Sequence, residues 1–462
     1  MKTSARPSAD LVLRLDRPGP RYTSYPTADR FHAGFGAADF EAALDRTNAA
    51  QDRPLSVYVH LPHCARICSY CACNVVGTKS STKRIAYIDH LLAELALVGA
   101  RIPARRSLGQ LHLGGGTPNS YATEDLARLV HAITTRFAPT ADAELAIEVD
   151  PRWATPAQLT ALRATGLNRV SFGVQDVDPA VQAAIGRHQS AKATRDAIRG
   201  ARATGFASVN MDLVYGLPLQ TPESFEQTLD LLLEERPDRV ALFSFAYLPE
   251  THANQRKIDA ANLAPATAKV GFLVRARERL LAAGYVAIGM DHFALPEDEL
   301  ATAAATGRLR RNFQGYTVAP RGVGDAHIEM IGLGLSAISD LGGVYAQATR
   351  DAETYADATD AGRFPLARGF VLSADDMLRR DLIERLMTSS RVPRRDVPTS
   401  FAPELARLET LVTEGLVAVT PEAIELTPLG ELFPRLAAMA FDKYFGVATG
   451  DRAEAPKFSR VV

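Results

Sequence analysis

Leu55 to Gly77, LSVYVHLPHCARICSYCACNVVG, runs an apolar, β-branched stretch of strand length straight into a loop that holds all four cysteines of the chain. These are Cys64, Cys68, Cys71 and Cys73. A structural zinc site normally splits its thiolates into two separated pairs, so that two pieces of backbone close a tetrahedron around the ion. Here a single loop carries every thiol, with gaps of three, two and one residues and no later cysteine to supply a second half. That spacing suits three thiolates gripping three corners of an iron–sulfur cubane, whose fourth iron is left for a non-cysteine ligand. Bound zinc stays open as the other reading of the same four residues. His63, next to Cys64, is read as a packing or outer hydrogen-bonding residue in preference to a ligand.

Working outward, 462 residues are too many for one small core, and a large catalytic domain with a smaller appended one is the natural expectation. The 52 Lys and Arg against 53 Asp and Glu leave a net charge of −1, which suggests neither nucleic acid nor a membrane surface as an electrostatic partner. No apolar run approaches bilayer-spanning length. Near the N-terminus LVLRL is interrupted by Arg14 and followed by charge, so no signal-peptide core is present and a cytoplasmic location is expected. Clustered thiols with none elsewhere also argue against a disulfide framework.

Residues 1 to about 50 read as an arm, with Pro18, Pro20 and Pro26 keeping the front extended ahead of the helix-like FGAADFEAALDRTNAA. From Leu55, short apolar runs alternate with longer amphipathic segments, the rhythm of a parallel sheet. Six strands are expected at Leu55–Leu61, Gln110–Leu113, Glu144–Val149, Arg169–Val174, Ser208–Val214 and Arg239–Ala246. Helices are expected at Lys83–Val98, Glu124–Phe137, Pro156–Ala164, Ala191–Thr204 and Pro222–Glu235. Right-handed crossovers then give an α/β fold, a partial (β/α)6 TIM-type barrel of parallel strands whose ends share one rim. A seventh apolar segment covers Tyr285–Met290, and RNFQGYT and IGLGLSAIS read as loops folded back toward the rim. Past Arg368 the pattern changes to helices at Asp375–Met387, Pro403–Glu414 and Pro428–Tyr444, with two short strands in LVAVTPEAIELT. The expected organisation is therefore an arm over 1–50, the barrel with its loops over 51–368, and a smaller, mainly helical, winged-helix-like domain over 369–462.

The expected strands end in polar or glycine-rich punctuation: GGGTP, EVDPR, GVQD, DLVYGLP and SFAYLP. Gly114-Gly115-Gly116-Thr117-Pro118 permits close backbone approach, so its N–H and C=O groups can meet a small zwitterion, although glycine turns also serve as plain βα connections. Glu148, Gln175, Arg187 and Asp212 would each, taken singly, be surface polar residues or caps. At or just beyond successive strand ends they form a pattern.

Cys64-x-x-x-Cys68-x-Tyr70-Cys71 resembles the signature of radical S-adenosylmethionine (SAM) enzymes. The trailing Cys71-x-Cys73, the preceding YVHLPHC and the arm GPRYTSYPTADRF are similar to the oxygen-independent coproporphyrinogen III oxidases, and the likeness runs from Arg21 to the terminal KFSRVV. It implies a [4Fe-4S] cluster on Cys64, Cys68 and Cys71, with Cys73 not a ligand, and two molecules of SAM. Around the cluster-bound SAM it places Tyr70, Gly116, Thr117, Gln175, Arg187, Asp212 and Ala246. An arginine fork suits the methionyl carboxylate and an acidic side chain suits ribose hydroxyls. Around the second SAM it places Tyr58, Gly115, Glu148 and Ile338, with Phe313 and Gln314 of RNFQGYT nearby. The chain departs from the family pattern twice: the link between Tyr316 and Ile331 is longer, and Tyr247 stands where His is common.

The activity so implied is the anaerobic oxidative decarboxylation of two propionates of coproporphyrinogen III to vinyl groups in haem biosynthesis, giving protoporphyrinogen IX, methionine, 5′-deoxyadenosine and carbon dioxide. The resemblance also implies a monomer and a reduced donor protein of flavodoxin or ferredoxin type. Four propionates call for cations near the rim, with Arg21, Arg308, Arg310 and Arg311 as candidates. The alternatives are a haem chaperone or porphyrin methyltransferase of the same superfamily, or a zinc-stabilised binding scaffold.

Overall fold

The alternation of apolar runs and amphipathic segments becomes six adjacent parallel strands in a computed structural model, which describes residues 6–50, 53–104, 106–319, 327–446 and 458–461. They are β1 (Leu55–Leu61), β2 (Ser107–Gly115), β3 (Ala138–Val149), β4 (Arg169–Gln175), β5 (Ser208–Tyr215) and β6 (Arg239–Ser244). They pair in chain order, each with the next, and all in parallel. The helices joining them include Ser81–Arg101, Thr123–Arg136, Pro156–Ala164, Ala191–Ala203 and Pro222–Glu235. Several begin at a side-chain cap: Ser80, Thr155, Ser190 and Thr221 each accept a backbone N–H from the first turn. Pro156 and Pro222 follow their caps at the first helical position, where a missing N–H costs nothing.

The sheet continues past both ends of this parallel core to twelve strands. Beyond β6 lie β7 (Val286–Gly289) and β8 (His292–Ala294), with β8 next to β6 and β7 at the edge, both antiparallel. The hairpin of β9 (Leu309–Asn312) and β10 (Gly315–Val318) stands outside the sheet and accounts for RNFQGYT. On the other side, β11 (Met330–Leu333) pairs in parallel with β1, followed by antiparallel β12 (Ile338–Asp340), β13 (Val344–Ala348) and β14 (Leu366–Val371). This corrects the reading of IGLGLSAIS as a loop, because its two ends are strands of the main sheet. Its glycines disguise them: a Cβ on Gly332 would lie 2.5 Å from the carbonyl oxygen of Ile338, so the two chains pass too closely for any side chain.

Near the C-terminus, β15 (Arg391–Pro393), β16 (Val417–Val419) and β17 (Ala423–Leu426) form a small antiparallel sheet beside helices Ala374–Thr388, Ala402–Thr413 and Pro434–Ala440. The last of these is far shorter than the Pro428–Tyr444 helix expected, since Pro434 cannot continue a helix begun upstream and a 3₁₀ turn at Gly430–Leu432 precedes it. Residues 320–326 of the long link lie outside the described residues.

The arm is helical at Ala9–Leu15 and Ala37–Ala49, and one hydrophobic cluster runs from Leu11 through the barrel to Phe441. Tyr22 donates to Asp442 Oδ2 at 3.0 Å, Arg435 donates to the Gly19 carbonyl at 3.0 Å, and the Val461 N–H donates to the Arg17 carbonyl at 2.8 Å. Among the described residues, no helix is long and apolar enough to cross a membrane.

Candidate active site

Alternate residues of a strand face the same way, and along the parallel strands the inward set is polar where an ordinary barrel would carry aliphatic side chains. At the base, Glu144 takes Arg169 at 3.1 Å and Arg239 at 2.7 Å, and Arg239 also pairs with Asp298 at 2.8 Å. Burial alone would raise Glu144, yet these two guanidiniums bring its carboxyl down to about 2. One layer up, Ser171 and Asn210 donate to the two oxygens of Asp212 at 2.8 and 2.7 Å. Burial and the nearby Glu148 nonetheless hold Asp212 above the usual carboxylate range.

Above these layers opens a cavity of about 570 Å³. Thirteen of the sixteen expected site residues are on its wall: Cys64, Cys68, Tyr70, Cys71, Gly115, Gly116, Thr117, Glu148, Gln175, Arg187, Asp212, Ala246 and Gln314. Gln175 ends β4 in the left-handed region at φ +70°, a conformation uncommon for any residue but glycine, and so turns the chain over the rim.

The cysteine loop is tied to the barrel through its backbone. Thr78 N–H donates to the Cys64 carbonyl at 2.9 Å and Ser69 N–H to the Ile185 carbonyl at 2.9 Å. Asn254 donates to the carbonyls of Cys68, Ser69 and Cys71 at 3.0, 3.1 and 2.8 Å, and Gln255 to that of Tyr70 at 3.0 Å. With the backbone so held, the sulfurs meet polar neighbours: Thr117 Oγ1 lies 3.3 Å from Cys64 Sγ, Arg187 Nη1 is 3.8 Å from Cys68 Sγ, and the Cys73 N–H is 3.4 Å from Cys71 Sγ. Burial pushes the Cys64 thiol up to about 11, while the Cys73 thiol hydrogen bond draws Cys71 down to about 7.

The triple glycine has reasons within the protein as well. A Cβ on Gly114 would lie 2.8 Å from Glu148 Oε1, one on Gly115 would lie 2.6 Å from the His60 ring, and one on Gly116 would lie 2.6 Å from the Pro62 carbonyl oxygen. Glu148 accepts the Gly115 N–H at 3.0 Å and meets His112 Nε2 at 3.1 Å. Burial would raise its pKa, but these contacts hold it below the ordinary carboxylate range.

The six residues expected around a second SAM divide. Gly115, Glu148 and Gln314 are on the cavity wall, whereas Tyr58 stands one ring behind it, stacked on His112 with centroids 5.9 Å apart. Phe313 and Ile338 belong to a separate cluster with Phe31, Tyr345 and Leu372. Of the four arginines considered for propionates, Arg21 alone lines the cavity. Tyr247 turns its hydroxyl 3.4 Å from the Ile258 carbonyl.

Further wall residues were not singled out from sequence: Gln110, His112, Asp150, Ser171, Asn210 and His292. The signal was available for most of them as period-two spacing within strands, Gln110 with His112, Arg169 with Ser171, and Asn210 with Asp212. His292 had no such signal, because it enters on an antiparallel strand from beyond β6.

These residues fit a [4Fe-4S] cluster and SAM. Among the described residues, no three of His, Cys, Asp or Glu converge as the ligands of a single metal ion do. The three sulfurs instead face one cavity, each with its own polar neighbour, and hydrogen bonds to sulfur are a means of tuning such clusters. Arg187, 6% exposed, leaves Nε buried without a partner, as a site for an anionic group requires.

Comparison with known proteins agrees with this geometry. The Radical SAM superfamily profile matches residues 58–232. The oxygen-independent coproporphyrinogen III oxidase of Pseudomonas aeruginosa is 40% identical over 100% of both chains, and that of Escherichia coli is 41% identical over 98% of each. The solved coproporphyrinogen III oxidase of Escherichia coli, described as a radical SAM enzyme, superposes with a TM-score of 0.86 at 41% identity, covering 92% of this chain and 97% of that one.

Proposed function

The chain belongs to the oxygen-independent coproporphyrinogen III oxidases of the radical SAM superfamily, and from that premise we propose how its own residues serve the reaction. It oxidatively decarboxylates two propionate side chains of coproporphyrinogen III to vinyl groups in haem biosynthesis, using a [4Fe-4S] cluster and SAM. When bound, the cluster and SAM would supply one-electron, hydrogen-abstracting chemistry.

Cys64, Cys68 and Cys71 hold the cluster, and Cys73 donates its N–H to the sulfur of Cys71 without being a ligand. Arg187 grips the carboxylate of the cluster-bound SAM with a guanidinium fixed by Asp150 and by the Gly173 carbonyl. Gly116 and Thr117 present backbone to the amino-acid end, while Asp212 accepts ribose hydroxyls. Gln175, Tyr70 and Ala246 complete that wall. Gly115, Glu148 and Gln314 serve a second SAM from the cavity side, and Tyr58, Phe313 and Ile338 serve it from behind. Arg21, joined to Asp291 at 2.5 Å, offers a cation to a propionate at the rim. The walls aim a reactive species that the protein must also shield from water.

The observation that carries this assignment is a single cavity on whose wall three sulfurs, a half-satisfied arginine and the carboxylate of Asp212 meet. We further propose the division into an arm (1–50), a barrel (51–368) and a C-terminal domain (369–462). The working form is a cytoplasmic monomer reduced by a flavodoxin- or ferredoxin-type donor. The test is an anaerobic assay with reduced donor, SAM and coproporphyrinogen III, following deoxyadenosine and vinyl product together. Both should appear and both should vanish in Cys64→Ser. Deoxyadenosine formation that persists in Cys64→Ser overturns the ligand assignment.

A further inference from the structure

Two buried carboxylates at the cavity each hold two basic side chains of its wall. Asp150 takes Arg187 at 3.2 Å and Arg152 at 2.6 Å. Asp291 takes Arg21 Nη2 on Oδ2 at 2.5 Å and His292 Nδ1 on Oδ1 at 2.8 Å. Arg152, Arg187, Arg21 and His292 all line the cavity. With the first arrangement given to the carboxylate of SAM, the second is left for a different anion, and His292 is the member of it that has no role so far.

The register of the sheet says where that second seat lies. Asp212 of β5 pairs with Ala241 of β6, and Ala241 pairs with His292 of β8, so the three side chains share one face and one level. Asp212 and His292 are thus two strand spacings apart, about 10 Å along the sheet. The Ala241 methyl group is the wall between them. Nearer the rim, the Phe243 ring lies 5.7 Å from that of His292, and Arg21 Cζ lies 6.0 Å from the Phe243 centroid. The gap is bounded by a methyl group and an aromatic ring, with the carboxylate of Asp212 on one side and two nitrogen donors on the other.

The His292 ring is fixed. Burial would raise Asp291, yet Arg21 and His292 hold its carboxyl well below the ordinary range, so it remains an acceptor and Nδ1 carries the proton between them. Tyr316 closes on the ring with centroids 5.0 Å apart and is itself pinned by donation to the Met387 carbonyl at 2.9 Å. Among the described residues Nε2 has no hydrogen-bond partner, and His292 is not among those with further contacts. An imidazole clamped by one nitrogen and open at the other can take a carboxylate, the clamping Asp stabilising the charged ring.

We propose that His292 Nε2 and the Arg21 guanidinium seat the carboxylate of the propionate undergoing reaction, and that Asp291 positions both donors. This rests on the reading of the cavity as the coproporphyrinogen III site and of Asp212 as the acceptor of ribose hydroxyls. From that seat the propionate crosses the wall at Ala241 toward the SAM ribose, and its pyrrole ring meets Phe243. Neither donor gains or loses an atom or an electron. Each already shares its charge with Asp291, so the carboxylate is oriented without the full grip of an isolated cation. That suits a group that departs as neutral carbon dioxide, since binding the charged ground state too tightly slows its loss.

Asn and Gln at position 292 separate the two ring nitrogens, because an Asn amide stands near the place of Nδ1 and a Gln amide near that of Nε2. The first readout is equilibrium binding of coproporphyrinogen III to the full, cluster-loaded chain, anaerobic and without reductant. The second is deoxyadenosine formed per vinyl group during turnover. His292→Asn should bind about tenfold more weakly or worse and form more deoxyadenosine per vinyl group, with SAM affinity unchanged. His292→Gln should stay within about threefold of wild type in substrate affinity. Wild-type substrate affinity in His292→Asn, equal losses in both variants, a loss confined to His292→Gln or a matching loss of SAM affinity each overturns the seat. Weaker binding with the wild-type ratio of products overturns it as well, since the propionate held is then not the one that reacts. Failure of both variants to fold, read by circular dichroism, assigns the ring to structure and has the same effect. Failure of the wild type to bind coproporphyrinogen III strikes the reading of the cavity instead.

Discussion

Arg187 Nη1 lies 3.2 Å from Asp150 Oδ2, an ion pair at the cavity wall between two side chains that are each 6% exposed. Asp150 is in turn gripped by Arg152 at 2.6 Å, so the guanidinium of Arg187 is positioned by a carboxylate that is itself held in place. Burial works against ionising Asp150, yet these two cations keep its pKa below the ordinary range.

Asp150→Asn should therefore act through Arg187. Unpairing a buried charge costs roughly 3 kcal/mol of stability, and loosening the fork should weaken SAM binding about tenfold. Thermal unfolding and SAM titration of the loaded enzyme read the two effects separately. A lowered Tm with unchanged SAM affinity would remove Arg187 as the grip on the SAM carboxylate.

Serine replacements distinguish the four cysteines. Cys64→Ser, Cys68→Ser and Cys71→Ser should each lose the cluster after anaerobic reconstitution, whereas Cys73→Ser should retain about four iron and about four sulfide per chain. Iron and sulfide analysis decides it. Zinc at about one per chain in the wild type would instead favour the single-ion reading.

Glu94 gives a pH dependence remote from the chemistry. Its carboxyl accepts the Gly334 N–H at 2.8 Å and the Tyr355 hydroxyl at 2.6 Å, and complete burial raises its pKa to about 7. With a native value above the unfolded one, the folded chain binds the extra proton between about pH 4.5 and about pH 7. Its contribution is thus fullest at the acid end of that window and is lost as pH rises through it. Between pH 6 and pH 8 wild-type stability should fall by about 1 kcal/mol from this residue, and Glu94→Gln should flatten that part of the profile. Denaturant titrations at the two pH values measure the difference, and an equal slope in both proteins would contradict the buried-proton account.

Gly116→Ala places a methyl group 2.6 Å from the Pro62 carbonyl oxygen, a backbone atom that cannot swing aside. The turn must shift, at a cost of about 1 to 3 kcal/mol, and take Thr117 away from the Cys64 sulfur. The expected result is a lower midpoint in chemical unfolding together with an altered cluster absorption spectrum. A spectrum identical to wild type would show that Thr117 does not touch the cluster environment.

The parallel core was legible because its short apolar runs alternate with longer amphipathic segments. Helices Pro156–Ala164 and Pro222–Glu235 begin and end where the pattern says. The cysteine loop was legible through its fixed spacing, and the cavity wall through the family resemblance that those cysteines opened. The stretch around Gly332 and Gly334 was not, since glycines demanded by a close strand crossing look in sequence like glycines of a turn. His292 was hidden for another reason: it reaches the cavity from an antiparallel strand, so no parallel-strand rhythm marks it. The placement of Phe313 and Ile338 beside Phe31 was equally out of reach, because it brings together residues from the arm, a hairpin tip and a late strand with no local pattern linking them.

The contacts of Gly19 with Arg435 and of Tyr22 with Asp442 tie the opening residues to the closing ones. A polypeptide emerges from the ribosome N-terminus first and its units fold as they appear. Tyr22 and its neighbours must therefore wait, unseated, while more than four hundred residues are added. Arg21, which borders the cavity beside them, waits with them. Until the segment carrying Arg435 and Asp442 has been made, the barrel lacks the contacts that seat Gly19 and Tyr22.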